Sequence, residues 1–407
     1  MDILIKNAKL PGYEGQRDVA VENGLIKDIA PRIDAQAARV IDAEGKVLIP
    51  GLVDSHIHFD KAYIMDRLPN KSGTLMEAIQ VTAKLKPTFT KEDVVERATR
   101  ALFSLARHGT THIRTHAEFD PAQGFTGFET VMELKEKYRD IMDIQVVAFP
   151  QEGIFKCPGV EEMMTQAMDW GADVVGGIPY NDTPADEHID LVFNLAKKYD
   201  KPIDFHQDFK DDADAITIEY ICDKTIAEGM QGLVSVGHLT AIAALPPEKL
   251  EPILKKIADA KINVMCLPAT DLHLGARKDT YNVRRAVTPV RKLRDAGVNV
   301  CLATNNIRNA FTPYGTGDLM HIAMLAIPVC HLGGADDLPT VLPMLTTNAA
   351  KAIGLKDYGL EVGKKADMVL LDSTSVDTAV IDIPERLFVI KNGKIIVETK
   401  KEVKTTF

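Results

Sequence analysis

His56 and His58 sit one residue apart, and single histidines recur far downstream at His116, His206 and His238. Imidazole is both a common ligand for divalent transition metals and the usual proton shuttle near neutral pH, so histidines that converge in space point to metal-assisted acid–base chemistry. On an extended chain His56 and His58 project to one side roughly 7 Å apart, near enough to reach one ion. An isolated HxH pair fits two ordinary strand-end histidines equally well. The recurrence of histidine at further strand ends is what favours a metal.

The elements that must position these side chains are legible between residues 50 and 355. Eight apolar or β-branched runs, 52–55, 112–115, 144–149, 173–178, 202–205, 233–237, 262–267 and 298–303, alternate with amphipathic stretches. Near-continuous apolar runs suit parallel strands covered on both faces, and eight strand–helix units predict an α/β chain folded as a (β/α)8 TIM barrel. Loops after the strands build the active site of such barrels, so position sorts the eleven histidines. His56 and His58 follow the first strand, His116 the second, His206 the fifth and His238 the sixth, while His273 lies just past the seventh. His108, His112, His188, His321 and His331 occupy no such ends.

One helix can be read locally. Thr90 and Asp93 resemble a capping box, Val94, Ala98, Ala101, Leu102 and Leu105 share a face, and Gly109 follows the end. Segments 1–49 and 356–407 read instead as β-rich, with alternation at 18–22 and 386–396 and turn signals at Asn23-Gly24 and Asn392-Gly393. Neither end has enough strands to close a core alone, so together they are expected to form one small β-sandwich into which the barrel, 50–355, is inserted.

The 407 residues carry a net charge of −10 with 45% hydrophobic and 26% charged content, which describes an ordered globular chain. The acidic balance without a Lys/Arg-rich run disfavours nucleic acid as a partner and favours a small molecule. No apolar run approaches the roughly 20 residues of a membrane span. The five cysteines are widely spaced, with no CxxC pair, as in a reduced, cytoplasmic protein.

The block GLVDSHIHFDK (51–61) resembles the first-strand motif of the amidohydrolase superfamily. The resemblance runs through THIRTH (111–116), QVVAFPQEG (145–153), IDFH (203–206), VGH (236–238), NIR (306–308) and GKKADMVLL (363–371), and is greatest to its cytosine deaminase and N-isopropylammelide amidohydrolase branch. It implies that His56, His58 and His206 hold one divalent metal, zinc or iron, that activates water, with His238 beside it as proton shuttle. It also implies that Gln151 hydrogen-bonds the heterocycle through an amide offering both a donor and an acceptor, and that Lys61 stands near the reaction centre. Solvated-loop placement for Lys61 and backbone bonding for Gln151 are the plainer alternatives. Phe209, Phe311 and His116 complete the expected ring contacts. Trp170 is expected in the core. The small zinc deaminase fold is excluded, because its HxE and PCxxC motifs are missing.

Two positions depart from the family. In CLATNN (301–306), aligned without a gap, Asn305 stands where a metal-ligating, proton-accepting aspartate is usual. An amide oxygen can ligate a hard ion weakly but cannot act as a base. Phe209 replaces the glutamate that protonates the ring in cytosine deaminase, which makes cytosine a poor candidate substrate. Proton transfer would then pass through His238, His116, Asp208 or Lys61. A subfamily with a rerouted relay, an engineered change at Asn305, and a non-catalytic binding homologue are the three explanations, and the paired differences favour the first. The expected activity is metal-dependent hydrolysis of a C–N or related bond in a small N-heterocycle such as a cyclic amidine or urea, catalysed by His238, Lys61 and Asn305. The alternative is a heterocycle-binding homologue lacking the aspartate base. Relatives of this kind often form homo-oligomers.

Overall fold

A computed structural model describes residues 1–406. The N-terminal strands β1 (Ile3–Lys9), β2 (Gln16–Glu22), β3 (Leu25–Ala30) and β4 (Arg39–Asp42) form one sheet in the order β3-β2-β1-β4. After β5 (Leu48–Pro50) come the eight barrel strands: β6 (Leu52–Ile57), β7 (Thr110–Glu118), β8 (Asp143–Phe149), β9 (Val174–Gly177), β10 (Ile203–Gln207), β11 (Val234–His238), β12 (Asn263–Cys266) and β13 (Asn299–Leu302). Their spatial order is their sequence order and every pairing is parallel, as successive strand–helix crossovers require. The chain ends in β14 (Met368–Leu371), β15 (Arg386–Lys391) and β16 (Lys394–Glu398), which with β5 make a second small sheet, β16-β15-β14-β5.

Both chain ends share one core. Ile5, Val19 and Val21 pack with Met368, Leu370 and Ile390, and β5 pairs antiparallel with β14. The two turn signals behave as expected: Asn23 and Gly24, and Asn392 and Gly393, all have positive φ and close the β2–β3 and β15–β16 hairpins.

The barrel seam lies between β13 and β6 and is closed by Asn305, not by a full ladder. Its N–H donates to the His56 carbonyl at 2.8 Å, and its carbonyl accepts the His58 N–H at 2.9 Å. Asp54 Oδ1 adds a bond from the Thr304 N–H at 3.1 Å. The backbone at Asn305 has φ 62°, a left-handed conformation asparagine tolerates better than most residues. Closing the barrel therefore fixes Asn305 against the two histidines.

Two helices frame the site. In α2 (Lys91–Arg107) the predicted apolar face is buried and Thr90 Oγ1 accepts the Asp93 N–H at 3.3 Å. The capping box is only half formed, because the Asp93 carboxylate binds Arg67 and Arg97 and not the Thr90 N–H. Arg97 then reaches the Asp60 and Ala62 carbonyls at 2.8 and 2.9 Å, tying α2 to the segment after His58. The earlier α1 (Leu75–Leu85), capped by Thr74, lays Ala78, Ile79 and Val81 over Phe209 and Phe311 and roofs the barrel mouth.

Candidate active site

Three imidazoles meet at the C-terminal mouth. His206 Nε2 lies 3.2 Å from His56 Nε2 and 3.1 Å from His58 Nε2. The approach of His56 depends on Gly237, where a Cβ would fall 2.8 Å from the His56 ring. Ring nitrogens of His56, His206 and His238 lie within 4.8 Å of one another, as do those of His56, His58 and His116. Burial, reinforced by neighbouring charges, holds His56, His58, His116 and His206 far below the ordinary histidine range, so all four are neutral and able to donate a lone pair. Asn305 Oδ1 is buried without a protein partner. Neutral converging imidazoles beside an orphaned oxygen fit a divalent ion.

His116 does not line the cavity. It lies inside β7, which runs on to Glu118, and its Nε2 contacts Asp204 Oδ1 at 3.2 Å. The other Asp204 oxygen accepts from Arg114 at 3.0 Å, so a buried ion pair underpins the histidines. Asp204 went unnoticed in the sequence, although its alternation with His206 on β10 was a usable signal.

His238 ends β11 and its Nδ1 lies 2.7 Å from Asp271 Oδ1, which leaves Nε2 to face the other histidines. Phe209 stacks flat on the His238 ring, 4.1 Å away at 11°. The pair of contacts fixes both tautomer and plane, the two properties a proton shuttle needs. Asp271 comes from the segment Pro268–Leu274 after β12, and no local sequence signal tied it to His238.

Lys61 is buried and not a solvated loop residue, being 2% exposed. Its ammonium donates to Glu118 and, at 3.1 Å, to Gln151 Oε1, and lies 4.4 Å from the Phe311 ring centre. Glu118 also forms an ion pair with Lys86 at 2.8 Å, and Lys86 reaches Asp120 and Glu152. Burial alone would raise the Glu118 carboxyl, but the two ammoniums overcome it and hold it down to about 2. Glu118 and Lys86, neither singled out from sequence, thus clamp Lys61.

The cavity is bounded by Lys61, Gln151, Tyr180, Phe209, Asn306 and Phe311, with His58, His206, His238 and Asn305 at its floor and Leu75 of α1 overhead. Its volume is about 10 Å³, room for roughly one water. Two residues read near strand ends lie elsewhere, and a third departs from its expected core position. Asp208 caps the backbone N–H groups of Thr217 and Ile218, and His273 packs against Tyr314 beside Arg277. Trp170 is not in the core: 44% exposed, it caps a helix and meets Phe125 edge-on.

Residues 39–397 match the amidohydrolase family. The chain belongs to that family. It is a hydrolase of carbon–nitrogen bonds other than peptide bonds. This amidohydrolase is 34% identical over 406 residues to N-isopropylammelide isopropyl amidohydrolase of Pseudomonas sp. (strain ADP), covering 98% of this chain and 97% of that one. It is 29% identical to pterin deaminase of Rhizobium rhizogenes, over 95% of this chain and 89% of the relative. Among solved structures, 5-methylcytosine deaminase from Klebsiella pneumoniae, liganded with phosphonocytosine, superposes with a TM-score of 0.95 at 32% identity, covering 99% of this chain and all of that one. Among the described residues no helix is long and apolar enough to cross a membrane.

Proposed function

We propose that this amidohydrolase removes an exocyclic amine from a small N-heterocycle, with His56, His58, His206 and the Asn305 amide oxygen as ligands of one zinc or iron ion. The observation that carries this reading is the convergence of three Nε2 atoms beside the orphaned Asn305 Oδ1. Such an ion supplies Lewis acidity that makes water nucleophilic near neutral pH. Water adds to the ring carbon, the exocyclic C–N bond breaks, and one proton travels from water to the departing nitrogen. His238 carries that proton through Nε2, because Asn305 cannot and Asp271 keeps the opposite nitrogen engaged. Lys61 and Gln151 orient the ring, which enters by displacing Leu75 and Phe311 from the small cavity. The named activities of the relatives, on an ammelide, a pterin and a methylated cytosine, support an amino-substituted ring. A site that binds without reacting gains no support, since the His238–Asp271 pair provides a proton carrier without an aspartate at 305. The test is amine or ammonia release from amino-substituted pyrimidines, triazines, imidazolones and pterins by protein loaded with zinc or with iron. Turnover of at least one ring is expected, and none across the panel at full metal occupancy would reject the reading.

A further inference from the structure

A second cavity, of about 430 Å³, lies against the turn Thr240–Ala244 that follows β11 and shares no wall residue with the histidine cavity. Ala243, Ala244, Val287, Pro289, Val290 and Val329 give it an apolar lining. Lys210, Arg284, Arg285, Arg291 and Lys292 add cations, on a chain whose net charge is −10. Arg284 is neutralised by Asp279 at 2.8 Å, and Arg291 approaches Asp337 at 3.6 Å. The other three have no carboxylate within reach among the described residues. Lys210 donates to the Asp214 and Ala215 carbonyls, each at 3.0 Å, and Arg285 donates to the His331 ring. An imidazole nitrogen is a poor substitute for the paired oxygens that suit a guanidinium fork. Asp211 is the one acid of the described wall, so a surplus of positive charge remains. A phosphate monoester carries about two negative charges near neutral pH with three acceptor oxygens, and it balances that surplus. The apolar lining suits an organic body, and the volume lies within the roughly 300–1,000 Å³ of small-molecule pockets.

The same walls touch the proton carrier of the barrel site. Thr288, midway along the segment 284–292, is buried and donates its hydroxyl to the His238 carbonyl. Thr240, two residues past His238, donates to the Lys210 carbonyl at 3.0 Å. His238 and Leu239 both have left-handed backbones, with φ 70° and 54°, which residues other than glycine adopt at a cost. The bond from Thr288 therefore helps to hold His238 where it is. We propose that this cavity is a second ligand site, taking a small organic phosphate on Lys210, Arg285 and Lys292, and that its occupancy is transmitted to His238 through Thr288. Neither half depends on which ring the barrel cavity takes.

Calorimetric titration of the zinc-loaded full chain with uridine monophosphate, which has no exocyclic amine, with uridine and with pyrophosphate tests the site. The nucleotide is expected to bind at least tenfold tighter than either of the others. Replacing the exposed pair, Arg285→Gln with Lys292→Gln, should weaken it at least tenfold, while chelating the metal should leave it unchanged. No nucleotide binding, equal binding of uridine or pyrophosphate, or an affinity indifferent to the double variant overturns the site. Loss on chelation overturns it too, because the phosphate would then sit on the ion. Transmission is read by NMR of isotope-labelled histidine. The nucleotide should shift the His238 ring signal, identified by its disappearance in His238→Asn, and Thr288→Val should still bind nucleotide but show no shift. An unmoved His238 signal in the native chain, or the same shift in Thr288→Val, overturns the transmission.

Discussion

Asn305→Asp restores the carboxylate usual in the family and places a charge where the chain has a neutral oxygen. Asn305 is 1% exposed, its Oδ1 has no protein partner, and its φ of 62° is as accessible to aspartate as to asparagine, so the backbone need not change. Without metal the new carboxylate is buried beside neutral imidazoles, and an uncompensated buried charge costs about 3 kcal/mol. An unfolding entropy of about 2.1 cal/mol/K per residue makes each kcal/mol worth roughly 1 °C in a chain of 407 residues. The metal-free variant should therefore melt roughly 3–4 °C below the native chain at pH 8. Burial raises the folded-state pKa of such a carboxyl above its unfolded value of about 3.9, so the penalty is full above the folded value and vanishes below about pH 4. Zinc reverses the order, because the carboxylate then gains a partner, and the variant should be stabilised by metal more than the native chain. Scanning calorimetry with chelator and with zinc, at pH 8 and near pH 5, measures all of this. Identical metal-free melting at pH 8, or equal gains from zinc, would refute the placement of Oδ1 at the ion site.

Asp271→Asn should lower kcat by roughly 10- to 100-fold with little change in KM, as expected for loss of the group that sets a histidine's tautomer; steady-state kinetics showing a raised KM at constant kcat would instead make Asp271 a binding element. Glu118→Gln removes the shared partner of two buried ammoniums and should cost roughly 3–5 kcal/mol at pH 7 by urea unfolding. Because the folded Glu118 titrates near 2, below its unfolded value of about 4.3, its contribution is full at neutral pH and fades as pH falls from there toward 2. The gap between variant and native protein should therefore narrow by pH 3, and a constant gap would assign the loss to packing.

The histidines were legible because barrel geometry converts a sequence position, the end of a strand, into a spatial one. His56, His58, His206 and His238 could be placed together from their neighbours along the chain alone, and so could the eight strands and the shared terminal core. Alternation also carried enough information to find Asp204, two residues before His206 on the same face. The second strand was read three residues short at its end, because Ala117 and Glu118 continue an extended run that polar residues disguise, and with it went the identity of Glu118 as the partner of Lys61.

What the sequence determined is the kind of chemistry: strand-end imidazoles, a lysine three residues after the last of the first pair, and an asparagine in place of an acid. What only the tertiary structure decided is how those groups are paired. Asp271 meets His238 from the segment after a different strand, Lys86 meets Glu118 from beyond the roof helix, and Asn309 turns Asn306 through a loop. Each pairing sets a tautomer, a charge or the direction of an amide. These properties depend on distances between residues with no regular spacing along the chain, so no local pattern records them.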